Sequence, residues 1–158
     1  MKIAMIAAIG KNNELGKKNQ LLWHLPNDLK FFKEVTLNHT VLMGLNTYKS
    51  IGRPLPKRRN IVLSYNGEYQ EDGIEVYGTI DEALKNLDED KIFVIGGASM
   101  YTQFIDRADE LYLTEVDAED READAYFPQF DKSRYNYTKL KDNSDGNISY
   151  CHVLYTKK

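Results

Sequence analysis

The 158-residue sequence contains one cysteine, Cys151, so no internal disulfide framework can hold it, and a reducing compartment, by default the cytoplasm, is the expected setting. Its longest wholly apolar run, residues 3–9, falls far short of the roughly 20 residues that a membrane-spanning helix needs, so no membrane association is expected. A secretory signal is not expected, because Lys2 is the only charge before that run and no small-residue cleavage site clearly follows it. There is no Cys-x-x-Cys pair, no His-Glu-x-x-His, no Walker loop and no Gly-x-Ser-x-Gly elbow, which argues against metal-assisted and serine-triad chemistry. His24, His39 and His152 are scattered, and a lone histidine reads as structural before it reads as chemical.

With 42% hydrophobic and 28% charged residues, the chain has a globular composition. One domain over residues 1–158 is expected, burying roughly 68–70% of the surface that the unfolded chain exposes. The net charge of −3 hides a segregation. Residues 1–60 carry 11 Lys or Arg and 3 Asp or Glu, whereas the remainder carries 10 and 21. Such a basic first segment can mark a polyanion-binding region, although sequence halves need not be spatial halves.

Residues 2–9 read as a central strand covered on both faces, followed by a long polar loop over residues 10–20. Asn27 is a plausible N-cap for a helix to about Thr36. Residues 40–43, 60–64, 74–77, 91–95 and 111–116 read as strands. Helices are expected over residues 46–51, from the Thr79-x-x-Glu82 capping box to Leu87, and over residues 99–105 with Met100, Phe104 and Ile105 inward. Two last strands, around 135–140 and 149–155, flank the turn signal Asp145-Gly146. This alternation indicates an α/β chain with a mostly parallel sheet and a C-terminal antiparallel hairpin.

Asp28 is the first local conflict. Helical spacing puts it on one face with Phe31, Phe32 and Val35. It is either a first-turn acid favoured by the helix dipole or a carboxylate in an apolar cleft, aimed at a cationic or amidine-like ligand edge. Trp23 and Phe32 would supply flat walls for an aromatic ligand. Ile95-Gly96-Gly97-Ala98-Ser99 feeds a strand into a helix through two glycines, which is either a tight connection or a phosphate cradle. Met43-Gly44 before residues 46–51, with Thr47 in the first turn, repeats that arrangement, and two such ends suggest a dinucleotide. Arg53 and Lys57-Arg58-Arg59 form a basic cluster on a proline-stiffened loop. An acidic pI and the lack of interleaved aromatics argue against nucleic acid as its partner.

Taken together these segments resemble the bacterial dihydrofolate reductase family from Ile3 to about Tyr155. The matching pieces, in the family's order and near its spacing, include Ile6-Ala7-Ala8, Leu15-Gly16, residues 23–29, Met43-Gly44, Thr47, residues 50–56, Arg58-Arg59-Asn60, Ile95-Gly96-Gly97, residues 111–114 and Phe127-Pro128. The resemblance implies an eight-stranded, mostly parallel mixed sheet flanked by four helices. It also implies a monomer that reduces 7,8-dihydrofolate to tetrahydrofolate with NADPH. Asp28, Leu21, Trp23 and Thr114 would form the catalytic centre, with Asp28 supporting protonation of the ring nitrogen beside the hydride acceptor and Trp23 orienting water. Ile6, Ala8, Leu29, Phe32, Ile51, Leu55 and Ile95 would wall the substrate pocket, and Arg58 would grip the glutamate carboxylate as a bidentate fork. Ala8 and Leu15 would contact the cofactor, Gly96, Gly97 and Thr47 would lie along its diphosphate, and the loop over residues 10–22 would close on the nicotinamide.

Two other readings remain open on the residues alone. One is a related reductase of a pyrimidine riboflavin precursor, disfavoured because Asp28 and Arg58 suit a pterin-glutamate ligand. The other is a catalytically silent cofactor- or nucleic-acid-binding module.

Three departures from the family pattern stand out. Leu22 replaces a proline common before the tryptophan, which should loosen that loop, and Ala123-Asp124 replaces a common Gly-Asp in the acidic loop, which bears on loop closure. Leu45 occupies a position where relatives often carry a basic residue directed at the cofactor's 2′-phosphate, while Ser64 survives nearby. Leu45→Arg is expected to raise the ratio of NADPH to NADH efficiency, since a charge-assisted contact is worth about 1.5–3 kcal/mol. A ratio that does not rise assigns the phosphate to another group, such as Lys49.

Overall fold

The computed structural model describes residues 1–65 and 69–158. In chain order the elements are β1 (Lys2–Ile9), β2 (Glu14–Lys17), β3 (Gln20–Leu21), α1 (Pro26–Thr36), β4 (Thr40–Gly44), α2 (Leu45–Ile51), β5 (Arg59–Leu63) and β6 (Glu75–Tyr77). They continue with α3 (Ile80–Lys85), β7 (Lys91–Gly96), α4 (Ala98–Phe104), β8 (Glu110–Val116), β9 (Ala125–Tyr126), β10 (Tyr135–Asp145) and β11 (Ile148–Lys157).

Eight strands form one mixed sheet in the order β10-β11-β8-β1-β7-β4-β5-β6. From β8 to β6 neighbouring strands pair in parallel, while β11 pairs antiparallel with both β8 and β10. The eight strands, the four helices and the closing antiparallel pair are those expected from the sequence. Apolar side chains on both faces of β1 explain its central place. Ile3, Met5 and Ile9 join the cluster that includes Ala83 of α3 and Met100, Tyr101 and Phe104 of α4. Ala4 and Ile6 join the opposite cluster, which includes Tyr48 of α2 and is covered by Phe31, Phe32 and Val35 of α1. Ile105, expected inward, is only partly buried and packs at the edge of the first cluster just beyond α4.

Two local expectations are corrected. The N-cap of α1 is Leu25 rather than Asn27, because Pro26 suits the first helical position, where its fixed φ is already helical and no N–H is needed. The Asn27 side chain instead donates to the Ser144 carbonyl at 3.1 Å and to Asp145 Oδ1 at 2.9 Å, tying the helix start to β10. The polar stretch expected as a loop contains β2 and β3, which pair with each other and, through β2, with β9. Lys18 and Asn19, both at positive φ, make the two-residue turn between them.

Charge segregation along the chain is undone by folding. Lys11 pairs with Asp117, Lys17 with Glu122, and Arg59 with Glu75 and Glu89, so basic side chains of the first segment meet acids of the second. At α3 the capping box forms in part. Thr79 Oγ1 accepts from the Glu82 N–H at 3.1 Å, while the Glu82 carboxylate turns to the Gly78 N–H. Thr79→Ala should cost about 1 kcal/mol of unfolding free energy, readable as a lower denaturant midpoint at unchanged slope.

Candidate active site

Asp28 lies in the first turn of α1, and Thr114 lies on β8. Packing of α1 over the sheet brings them together, and Thr114 Oγ1 donates to Asp28 Oδ1 at 2.6 Å. The Asp28 side chain keeps 17% of its surface exposed, and Oδ2 has no hydrogen-bond partner among the described residues. Burial pushes its carboxyl above the usual carboxylate range; the Thr114 hydroxyl opposes this shift, and the neighbouring Asp145 charge adds to it. The reading of Asp28 as a carboxylate on an apolar face therefore describes its surroundings better than a solvated dipole partner does.

Ala8, Leu15, Leu21, Trp23, Asp28 and Leu29, all expected at the site, line one recess of about 20 Å³, room for about one water. Leu22 also lines it. Of the other expected walls, Ile6, Phe32, Leu55 and Ile95 share the cluster beneath α1 and α2. Leu29 and Ile51 are exposed, as Leu21 is, so these three offer apolar surface to whatever enters.

Arg58 is the oriented member of the basic cluster. Its Nη1 donates to Thr36 Oγ1 at 3.0 Å and its Nε to the Pro56 carbonyl at 3.0 Å. No carboxylate pairs with it among the described residues, so its charge remains for an incoming anion. Arg59, in contrast, is already committed to Glu75 and Glu89.

A candidate phosphate cradle lies where β4 and β7, adjacent and parallel, deliver their C-terminal ends into α2 and α4. Both helices begin after a glycine, Gly44 and Gly97, with no side-chain cap on their first N–H groups. A Cβ at Gly96 or Gly97 would stand 3.3 Å from Thr47 Oγ1, and Gly96 has φ +138°, so side chains here would fill the cleft beside Thr47. This backbone-lined recess fits a diphosphate. Leu45 packs against the apolar cluster, and the Lys49 amine stands 5.6 Å over the Tyr69 ring.

Glu14 has no assigned part in the sequence analysis and His152 reads there as structural, yet both stand beside the site. Glu14, 1% exposed, accepts from the backbone N–H of Asn12 at 2.7 Å and of Asp120 at 2.7 Å. Burial pushes its pKa up, but these backbone donors outweigh it and leave the carboxyl below its ordinary value. Glu14 thus ties the segment after β1 to the acidic loop, where Asp124 also accepts from the Lys18 N–H at 2.9 Å and donates its own N–H to the Gly16 carbonyl. Ala123-Asp124 therefore keeps the two loops joined despite the departure from the family pattern. The second residue is His152, completely buried on β11 with Nδ1 2.9 Å from Thr114 Oγ1. In the sequence it stands only as a lone histidine before Val153 and Leu154 in the last strand.

The family model for dihydrofolate reductase matches residues 2–157. "Dihydrofolate reductase type 3" of Salmonella typhimurium is 48% identical over 131 residues, 82% of this chain and 80% of its own length. The dihydrofolate reductase of Bacillus subtilis (strain 168) is 38% identical over 160 residues, 99% of this chain and 95% of its own. Among solved structures, a dihydrofolate reductase from Enterococcus faecalis complexed with NADP(H) and RAB-propyl superposes with a TM-score of 0.86 at 33% identity, covering 99% of this chain and 96% of that one. The chain belongs to the dihydrofolate reductase family, oxidoreductases that act on a CH–NH bond with NADP as acceptor.

The raised Asp28 carboxyl also has a sign for stability. A group whose pKa is higher in the folded than in the unfolded state contributes stability that is full below the unfolded value and is lost as pH rises through the folded one. Asp28→Asn should therefore unfold at a higher denaturant concentration than the parent at pH 7, with the difference closing as pH falls toward the ordinary carboxylate range. Equal midpoints at pH 7 would mean that burying this carboxylate costs nothing.

Proposed function

We propose that the chain reduces 7,8-dihydrofolate to 5,6,7,8-tetrahydrofolate as a monomer of one domain over residues 1–158, with Asp28 assisting protonation of the pterin. The observation that carries the reading is the Asp28 carboxylate, raised by burial, anchored by Thr114 and open at Oδ2 on an apolar recess. NADPH supplies the hydride when bound, and Gly96, Gly97 and Thr47 would hold its diphosphate, with Ala8 and Leu15 lining its approach to the substrate.

Each side chain then has a task set by its chemistry. Asp28 accepts the paired N–H groups of the pterin's amino edge, a match in which two parallel hydrogen bonds fix the ring's orientation as well as its affinity. A carboxyl with a raised pKa holds a proton nearer neutral pH than an ordinary one, and positioned proton transfer contributes about 10²–10⁴ in rate. Trp23 orients a water beside that carboxylate. Ile6, Phe32, Leu55 and Ile95 wall the ring and exclude further water, with Leu21, Leu29 and Ile51 closing over its exposed sides. Arg58, held from behind by Thr36 and Pro56, presents its remaining N–H groups to the substrate's glutamate carboxylate in a geometry that lysine does not reproduce.

Mixing the protein with NADPH and dihydrofolate should give steady loss of absorbance at the reduced-nicotinamide band, and no turnover at micromolar substrate would overturn the proposal. Asp28→Asn should slow hydride transfer at neutral pH by at least about 10²-fold, with partial recovery in acid as substrate arrives already protonated. Undiminished activity in that variant would leave Asp28 with a helix-dipole role alone.

A further inference from the structure

His152 faces Thr114 directly across the β11–β8 pairing, and nothing in the reaction derived above uses it. Its ring is completely buried, stacked on Phe31 with centroids 3.9 Å apart and met edge-on by Tyr150. The imidazole is therefore fixed in position, with Nδ1 2.9 Å from Thr114 Oγ1 and Nε2 buried with no hydrogen-bond partner among the described residues.

With Asp28 ionised, counting hydrogens gives the direction of each bond. The Thr114 hydroxyl has one proton and stands between two acceptor-capable atoms, Asp28 Oδ1 at 2.6 Å and His152 Nδ1 at 2.9 Å. An ionised carboxylate can only accept, so the hydroxyl proton goes to Oδ1 and a lone pair of the same oxygen faces the ring. Nδ1 must then carry the imidazole's hydrogen, which leaves Nε2 bare. The opposite tautomer would bury an N–H without a partner and set two lone pairs against each other at Thr114. Burial and the nearby Lys141 charge both favour the neutral ring. The titratable groups around this chain are Asp28 from α1, Tyr150 beside the ring, Lys141 paired with His152 across β10, and Asp145, which acts on Asp28 and accepts from the Tyr150 hydroxyl.

We propose that His152 is a positioning residue: its Nδ1–H locks the Thr114 hydroxyl as a donor to Asp28 Oδ1, which leaves Oδ2 as the open oxygen for the pterin edge and for the proton that Asp28 takes up. The run N–H to O–H to carboxylate polarises each bond in the same direction, so the histidine also steadies the ionised form of Asp28 through Thr114. The proposal rests on the reading of Asp28 as the group that supports protonation.

The test uses the full chain with NADPH and dihydrofolate. Nitrogen-resolved NMR of histidine-labelled protein should show the His152 proton on Nδ1 throughout the neutral range; a proton on Nε2 overturns the proposal without any substitution. His152→Phe keeps the stack on Phe31 and removes the donor, so the pH midpoint of single-turnover hydride transfer should rise by about half a unit to one unit. His152→Asn, whose amide can place an N–H near the Nδ1 position, should return the midpoint most of the way. A midpoint unmoved in His152→Phe, or moved equally in both variants, overturns the proposal. Asp28→Asn run alongside separates the two ideas. If that variant keeps its full rate, the reading of Asp28 fails; if it is impaired while the His152→Phe midpoint stays in place, only the histidine proposal fails.

Discussion

The bond from Thr114 to Asp28 Oδ1 joins a helix on one face of the sheet to a strand within it, and the site depends on it. A carboxylate on an apolar helix face is costly to bury, and here one hydroxyl offsets part of that cost while the second oxygen stays open. More donors would hold the carboxyl ionised and leave it a poor proton carrier; none would make the first turn of α1 hard to keep against the sheet. One partner gives an acid that is held in place and can still titrate.

Around this contact the molecule is held together in two different ways. The walls rise from β1 and β7, central strands packed on both faces, and from α1 and α2. The segment between β1 and α1 is anchored differently, by the small sheet of β2, β3 and β9 and by the Glu14 carboxylate holding two loops by their backbone N–H groups. These few polar contacts hold surface that carries Leu21 and Leu22 over Asp28, and such contacts can be exchanged at less cost than the packed sheet.

Much of the fold could be read along the chain. Alternation of strand and helix signals places the main strands to within a few residues, because both-face burial leaves an apolar run and a glycine follows where a strand turns into a helix; the exposed, polar end of β10 runs on to Asp145, five residues past its expected end. The small sheet is not legible in the sequence because β2 and β3 are only four and two residues long and their turn, Lys18-Asn19, lacks glycine. Asn27 reads as a cap in the sequence because the pull of Asp145 on its side chain comes from the far end of the chain.

For the site, the order of residues along the chain is enough to show a family-like set: Asp28, Thr114, Arg58 and the glycines at 44, 96 and 97. Helical spacing sufficed to put Asp28 among apolar neighbours. Folding selects which of two adjacent arginines keeps its charge unpaired among the described residues, since it brings acids beside Arg59 and none beside Arg58. It alone placed His152 behind Thr114 and made Glu14 the link between two loops, because hydrogen-bond partners 38 and 106 positions apart leave no local pattern for a sequence to show.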